Sequence, residues 1–181
     1  MNNALMHKLV FYFIDKFEKN HLVKLDKNIS IIFRNYNKTY KESEVLEIKK
    51  FCLSEKRRFF ISNDLHLAKK FNLDGIYLPS FNKDFSILNK SDKRLKIIGS
   101  AHNFKEILIK KKQNVDLLFI SPLFKTKKSS KFLNLYKFNI LSKFWKKKTI
   151  ALGGINETNI NKIKMINCYG FAAISYFDQV K

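Results

Sequence analysis

The sequence has little glycine, proline, cysteine or acid. Five glycines and two prolines in 181 residues leave no Pro/Gly/Ser-rich linker, so the chain reads as one domain over 1–181. Cys52 and Cys168 stand far apart and lack metal-ligand spacing. They read as reduced thiols in apolar surroundings, which fits a cytoplasmic protein. No stretch approaches the length of a transmembrane helix, so no membrane partner is expected. The N-terminal MNNALMHKLVFYFIDKFEKN does not read as a signal peptide. Its apolar run, Leu9 to Ile14, is short, and no small-residue cleavage site follows.

Acid is scarce against base: 15 Asp and Glu face 36 Lys and Arg, a formal charge of +21. Such a charge raises the question of nucleic acid. The lysines are spread along the chain, as in Lys49–Lys50, Lys69–Lys70, Lys110–Lys112 and Lys146–Lys148, and most of these runs fall on polar faces or ends of expected helices. There is no arginine-rich arm and no zinc-finger or helix-turn-helix signature. A solvated basic surface that attracts anionic substrates is the expectation. Nucleic acid is not the expected partner, and salt-sensitive binding to it stays as the alternative.

What the chain does have is a hydrophobic fraction of 45% arranged in recurring runs. LVFYFID (9–15), ISIIFRNY (29–36), RFFISN (58–63), GIYLPS (75–80), LKIIGSAH (95–102), LLFISPLF (117–124), TIALGGI (149–155) and GFAAISYF (170–177) read as strands. Between them lie segments with helical spacing at 42–53, 64–71, 104–111, 135–145 and 157–166, and a shorter one around Phe85 to Leu88. Continuous apolar runs mark strands buried on both faces, and their alternation with helices gives βα units. Eight units predict a compact (β/α)8 TIM barrel with a short first crossover and a truncated last helix; a doubly wound open sheet is the second choice. No GxGxxG follows the first strand, which weakens a dinucleotide-binding version.

Function in a barrel gathers at the C-terminal strand ends. Read in order, these ends carry Asp15; Arg34 and Tyr36; Asn63 and Asp64; Ser80; Ser100 and His102; Ser121 and Thr126; Gly153 and Gly154; Ser175. The glycine pair in ALGGIN (151–156) is unusual in so glycine-poor a chain. Without Cβ atoms its N–H groups can approach a phosphate closely, and a helix beginning near Asn156 to Thr158 would add its positive end. Loops after strands seven and eight often build a phosphate site in this fold.

SNDLHLA (62–68), DGIYLPS (74–80), SAH (100–102), DLLFISPLFKT (116–126), ALGGIN (151–156) and GFAAIS (170–175) follow the order and spacing of one family, with IIFRNY (31–36) matching its second strand. As a set they resemble the thiamine phosphate synthase/TenI family over roughly Leu9 to Phe177. The resemblance implies a (β/α)8 barrel. It also implies one of two activities. The synthase joins a pyrimidine pyrophosphate to a thiazole phosphate and releases pyrophosphate with Mg²⁺. The TenI branch includes a tautomerase that isomerises a thiazole carboxylate phosphate by proton transfer alone. Carried over by position, Arg34 and Asn63 match pyrophosphate contacts, Ser100 and Thr126 match polar contacts to substrate, and Asp64 matches a metal ligand. Gly153, Gly154, Ile174 and Ser175 match the thiazole-phosphate pocket.

The chain departs from the synthase pattern in three places. Tyr36 stands where a lysine is usual. LPSFN replaces the GQxD-type motif, so Pro79, Ser80 and Asn82 replace Gly, Gln and the second carboxylate. The later lysine motif reads Thr126-Lys127-Lys128-Ser129. A neutral Asn binds Mg²⁺ more weakly than a carboxylate does. The expectation is therefore a TenI-like protein of thiamine biosynthesis that binds a phosphorylated thiazole. His102 is its candidate acid/base and no cofactor is needed. The alternatives are the Mg²⁺-dependent synthase, with Lys127 or Lys128 repairing the lysine, or a non-catalytic phosphate binder. His7, His21 and His66 read as surface or helix residues, and a homo-oligomer is left open.

Overall fold

The computed structural model describes residues 9–37, 39–87, 94–127 and 129–179; His7, Leu88 and Lys128 lie outside them. Eight strands close in sequence order, each parallel to the next. They are β1 (Leu9–Ile14), β2 (Ile29–Phe33), β3 (Phe59–Ser62), β4 (Gly75–Leu78), β5 (Lys96–Ala101), β6 (Leu117–Ile120), β7 (Lys148–Leu152) and β8 (Gly170–Ala173). Pairing of Leu9 with Gly170 and of Val10 with Ile29 seals β1 between β8 and β2. The barrel is closed, so the open sheet is set aside.

Side-chain alternation along each strand divides the apolar residues into two layers. Phe11, Phe13, Ile32, Phe60, Tyr77, Ile98, Phe119, Ile150 and Ala172 fill the barrel axis. Tyr12, Ile14, Ile31, Phe33, Phe59, Ile61, Leu118 and Ile120 face the helices. The axis is largely aromatic. Phe119 is fully buried, with its ring 5.1 Å from Phe11 and 5.9 Å from Phe13. Each such ring contributes on the order of 1.5–3 kcal/mol by burial.

The helices among the described residues include α1 (Lys19–Leu22), α2 (Glu42–Ser54), α3 (Leu65–Lys70), α4 (Phe104–Lys112), α5 (Asn134–Lys143) and α6 (Ser175–Asp178), with a 3-10 helix at Ile160–Met165. The first crossover is short, as expected. The segment after β7, which has α-type spacing in the sequence, is 3-10 instead, and it begins at Ile160 rather than near Asn156. Asparagine explains the difference. Asn156 N–H donates to Asn159 Oδ1 (3.0 Å), and Thr158 N–H donates to Asn156 Oδ1 (3.0 Å). Side chains that hold the first N–H groups in this way compete with α-helical geometry.

Two devices fix the loops at the two ends of the barrel. Asn103 Oδ1 accepts from Glu106 N–H (3.0 Å), while the Glu106 carboxylate accepts from Asn103 Nδ2 and from His102 N–H (2.9 and 2.7 Å). This reciprocal cap, a variant of the capping box, sets the path of the chain between β5 and α4. At the opposite end, the buried Arg57 guanidinium donates to Leu22 O (3.1 Å) and Leu25 O (2.6 Å), tying α1 and its loop to β3.

Candidate functional site

The mouth is built on the aromatic axis. Arg34 follows Ile32 on the inward-facing register of β2. Its guanidinium lies 4.4 Å from the Phe13 ring centroid and 5.4 Å from that of Tyr36. Rings on two sides hold this cation by cation–π attraction. Arg34, Tyr36 and Ile174 share a cavity of about 620 Å³ with Tyr12, Phe13 and Asp178. Tyr12 donates its hydroxyl to Asp178 Oδ1 (2.7 Å), and burial with that carboxylate nearby pushes the phenol pKa upward. Below the rim, Tyr77 donates to the buried Ser100 Oγ (2.8 Å). Burial raises the Tyr77 phenol to about 12, so it stays protonated as a donor at neutral pH.

At the ends of β3 and β4 the geometry concerns the metal. Asp64 caps α3: its Oδ1 accepts from Leu67 N–H (2.9 Å) and its Oδ2 from the Tyr40 hydroxyl (3.1 Å). Burial, with Asp64 beside it, lifts the Tyr40 phenol to about 12. Asn82, at the position of the missing second carboxylate, accepts at Oδ1 from Gln113 Nε2 (2.9 Å) and from Asp84 N–H (2.9 Å). Its Nδ2 donates to Asn63 Oδ1 (2.8 Å). Mg²⁺ seeks hard anionic oxygens in octahedral array. Here one carboxylate has both oxygens engaged, and the neighbouring amide has its oxygen filled twice. Among the described residues no group of three or more His, Cys, Asp or Glu is placed to hold a metal. These residues do not fit a protein-built Mg²⁺ site.

Across the mouth, His102 Nδ1 lies 2.8 Å from Ser121 O and 3.1 Å from Ser121 Oγ. A carbonyl oxygen only accepts, so Nδ1 carries a hydrogen, and in the neutral ring the lone pair is on Nε2. His102 is exposed. Thr126 turns back on its own loop: its Oγ1 accepts from Ser129 N–H (3.1 Å), and Thr126 N–H donates to Ser129 O (3.1 Å). Its hydroxyl is engaged within that turn, and Lys127 beside it is exposed.

Gly153 and Gly154 have φ of 96° and 69°. A Cβ on Gly153 would stand 2.7 Å from Pro122 Cβ, and one on Gly154 would stand 2.4 Å from Lys125 O. The pair therefore lets the loop after β6 lie directly against β7, and the Gly153 carbonyl accepts from Phe124 N–H (3.0 Å). Asn159 Nδ2 donates to Gly154 O (2.8 Å). Because the 3-10 helix starts six residues after Gly154, its positive end is not the aid to the glycine N–H groups that the sequence suggested. Ser175 opens α6 and, like Ile174, is exposed.

The structure joins Asn63 to Asn82, Asp64 to Tyr40, Ser100 to Tyr77 and His102 to Ser121, and it puts Arg34 and Ile174 on one cavity. His66 is exposed on α3, while His21, on α1, lines the same cavity as Arg34 and packs its ring 5.8 Å from Tyr12. Lys110 is corrected. The Lys110–Lys112 run reads as a solvated face, yet Lys110 is fully buried, as is Gln113. Their spacing held a clue: Lys110 and Gln113 continue the i, i+3 series that begins at the buried Ile107.

Known proteins agree with this architecture. A family model described as thiamine monophosphate synthase matches residues 23–177. Among curated proteins, a thiamine-phosphate synthase of Prochlorococcus marinus subsp. pastoris is 33% identical over 124 residues, covering 67% of this chain and 35% of its own length. One from Methanococcus vannielii is 28% identical over 131 residues, covering 71% of this chain and 64% of its own length. The matched stretch thus spans between about a third and two thirds of these relatives. The solved thiamine phosphate pyrophosphorylase from Pyrococcus furiosus superposes with a TM-score of 0.76 at 21% identity, over 96% of this chain and 88% of its own; the likeness speaks to the fold.

Proposed function

The chain belongs to the thiamine monophosphate synthase family, and we propose that it acts in thiamine biosynthesis on a phosphorylated thiazole, with the joining reaction as its first assignment. The sequence alone ranks isomerisation first. The relatives reverse that order, because those matched carry the synthase name. The single observation that carries the reading is the cationic, donor-lined side of the mouth. Arg34 is held over Phe13, and Asn63 has its amide oxygen occupied by Asn82.

In the joining reaction the bond from the pyrimidine methylene carbon to pyrophosphate breaks, and the thiazole nitrogen bonds to that carbon. Negative charge grows on the departing pyrophosphate. Arg34 and the Asn63 NH₂ would stabilise it, most effectively where the apolar floor excludes water. The Gly153 and Gly154 N–H groups and Ser175 would hold the thiazole phosphate at the other side. Because Asp64 and Asn82 do not fit Mg²⁺, no step is assigned to the metal.

Isomerisation is the second reading, favoured by the His102–Ser121 bond. With Nδ1–H fixed on a carbonyl, Nε2 is ready to accept a proton from carbon and return it elsewhere on the ring. Incubating the protein with both synthase substrates, with and without Mg²⁺, tests the order. Pyrophosphate release supports the first reading. Thiazole-phosphate binding without release, together with turnover of the thiazole tautomer, overturns it in favour of the second.

A further inference from the structure

Lys110 is a fully buried lysine that neither reaction uses directly. Its ammonium donates to Pro79 O (2.7 Å), Asn82 O (2.9 Å) and Gln113 Oε1 (2.9 Å). Space for its stem exists because residue 99 is glycine: a Cβ there would meet Lys110 Cδ at 3.0 Å. Gln113, also buried, donates from Nε2 to Asn82 Oδ1 (2.9 Å) and to Asp84 O (3.0 Å). Asn82 Nδ2 then donates to Asn63 Oδ1 (2.8 Å), on the rim.

The direction of this chain is dictated from its root. An ammonium has three donors and no acceptor. Gln113 must therefore turn its oxygen to Lys110 and its NH₂ to Asn82. Asn82 turns its oxygen to Gln113 and to the Asp84 N–H, and its NH₂ to Asn63. Asn63 must turn its oxygen to Asn82, which leaves its own NH₂ as the remaining polar edge. An amide alone has no preference between its two orientations, which differ only by a half-turn. Here Lys110 and the main-chain oxygens of Asn82 and Asp84 settle Gln113, Gln113 and the Asp84 N–H settle Asn82, and Asn82 settles Asn63.

We infer that Lys110 is a positioning residue: through Gln113 and Asn82 it fixes the orientation of the Asn63 amide so that an NH₂, not a carbonyl, meets an anionic phosphate oxygen in the mouth. The relay occupies the place where a second metal carboxylate would stand and supplies a donor there instead of a cation. This assignment rests on the proposed anion-binding function of the mouth.

The variant that tests it is Gln113→Glu. It keeps size and burial, and the new carboxylate pairs with Lys110, but it cannot donate to Asn82. Asn82 then reverses, because a bond from its NH₂ to the new carboxylate outweighs the neutral one its oxygen accepts from Asp84 N–H, and Asn63 presents its oxygen to the ligand. Inorganic pyrophosphate, titrated calorimetrically, is the probe. Losing a donor to a charged oxygen is expected to weaken binding by about tenfold to a hundredfold. Asn63→Ala should lose a similar factor, and the double variant should lose no more than either single one, because both act at one contact. Unchanged binding in Gln113→Glu, or losses that multiply in the double variant, overturns the relay. Lys110→Met, which removes the root donor, checks the same prediction with a different perturbation, and circular dichroism verifies that each variant is folded. Side-chain amide NMR separates the relay from the function. If wild type binds no pyrophosphate, the function reading fails. The relay nevertheless stands if the Asn82 NH₂ is protected from exchange in wild type and loses that protection to Asn63 in Gln113→Glu. It falls if protection is absent or unchanged.

Discussion

His102 Nδ1 and the main-chain oxygen of Ser121 are 2.8 Å apart, and this contact between the ends of β5 and β6 chooses the tautomer of the imidazole. The main-chain N–H of His102 is engaged separately, by Glu106. His102→Ala therefore removes the ring without removing the cap of α4. Thiazole isomerisation is expected to fall by about 10²- to 10⁴-fold, the usual range for a lost acid/base, while joining is little changed. The two rates are measured side by side with NMR for the tautomer and a pyrophosphate assay for joining. Isomerisation that survives in His102→Ala would remove the residue from the chemistry.

Gly153 has no room for a side chain. Its φ of 96° is poorly tolerated by other residues, and a Cβ would lie 2.7 Å from Pro122 Cβ and 2.8 Å from Pro122 Cα. Gly153→Ala is expected to lower stability by about 1–3 kcal/mol from backbone strain alone, with the collision adding to it. Urea unfolding monitored by tryptophan fluorescence gives the difference directly. A midpoint equal to that of the parent would mean that the loop after β6 moves aside without cost.

Cys52 is buried, and burial raises its thiol to about 12 from an ordinary 9.0. The unfolded chain thus gives up this proton before the folded one. The stability that Cys52 contributes is complete below pH 9 and falls as pH rises toward 12. Tyr40 and Tyr77, both raised to about 12, act in the same direction over a narrower span. Lys110 opposes them: burial lowers it to about 8, so its contribution to stability grows more favourable between 8 and its ordinary 10.5. Unfolding free energies of Cys52→Ala and parent, compared from pH 8 to 11, should show a shallower alkaline decline in the variant. Parallel curves would refute the burial account.

The barrel was legible because strands buried on both faces leave continuous apolar runs, and eight such runs separated by helical spacing allow few arrangements. Their ends were less so. ISIIFRNY and GFAAISYF run on past β2 and β8, because Arg34 and Ser175 follow the strands without a break in pattern. Local asparagine bonds turned the segment after β7 into a 3-10 helix, an outcome that periodicity does not register. Rim residues could be named from position, but their partners could not. Nothing in the spacing joins Asn63 to Asn82, or places Arg57 on the carbonyls of Leu22 and Leu25. Lys110 was hidden by company: flanked by Lys111 and Lys112, it reads as one more solvated charge, and its burial depends on acceptors in a loop about thirty residues earlier.

The phenylalanines along the barrel axis have a consequence for how such a protein can change. They form a plug, so no ligand descends between the strands, and whatever binds must rest on a shallow apolar floor made by rings such as Phe13. Stability is concentrated below that floor, and the proposed recognition lies above it. A substitution in the loops can therefore redirect chemistry without loosening the barrel, and a protein can exchange one reaction for a neighbouring one while its scaffold stays as it was.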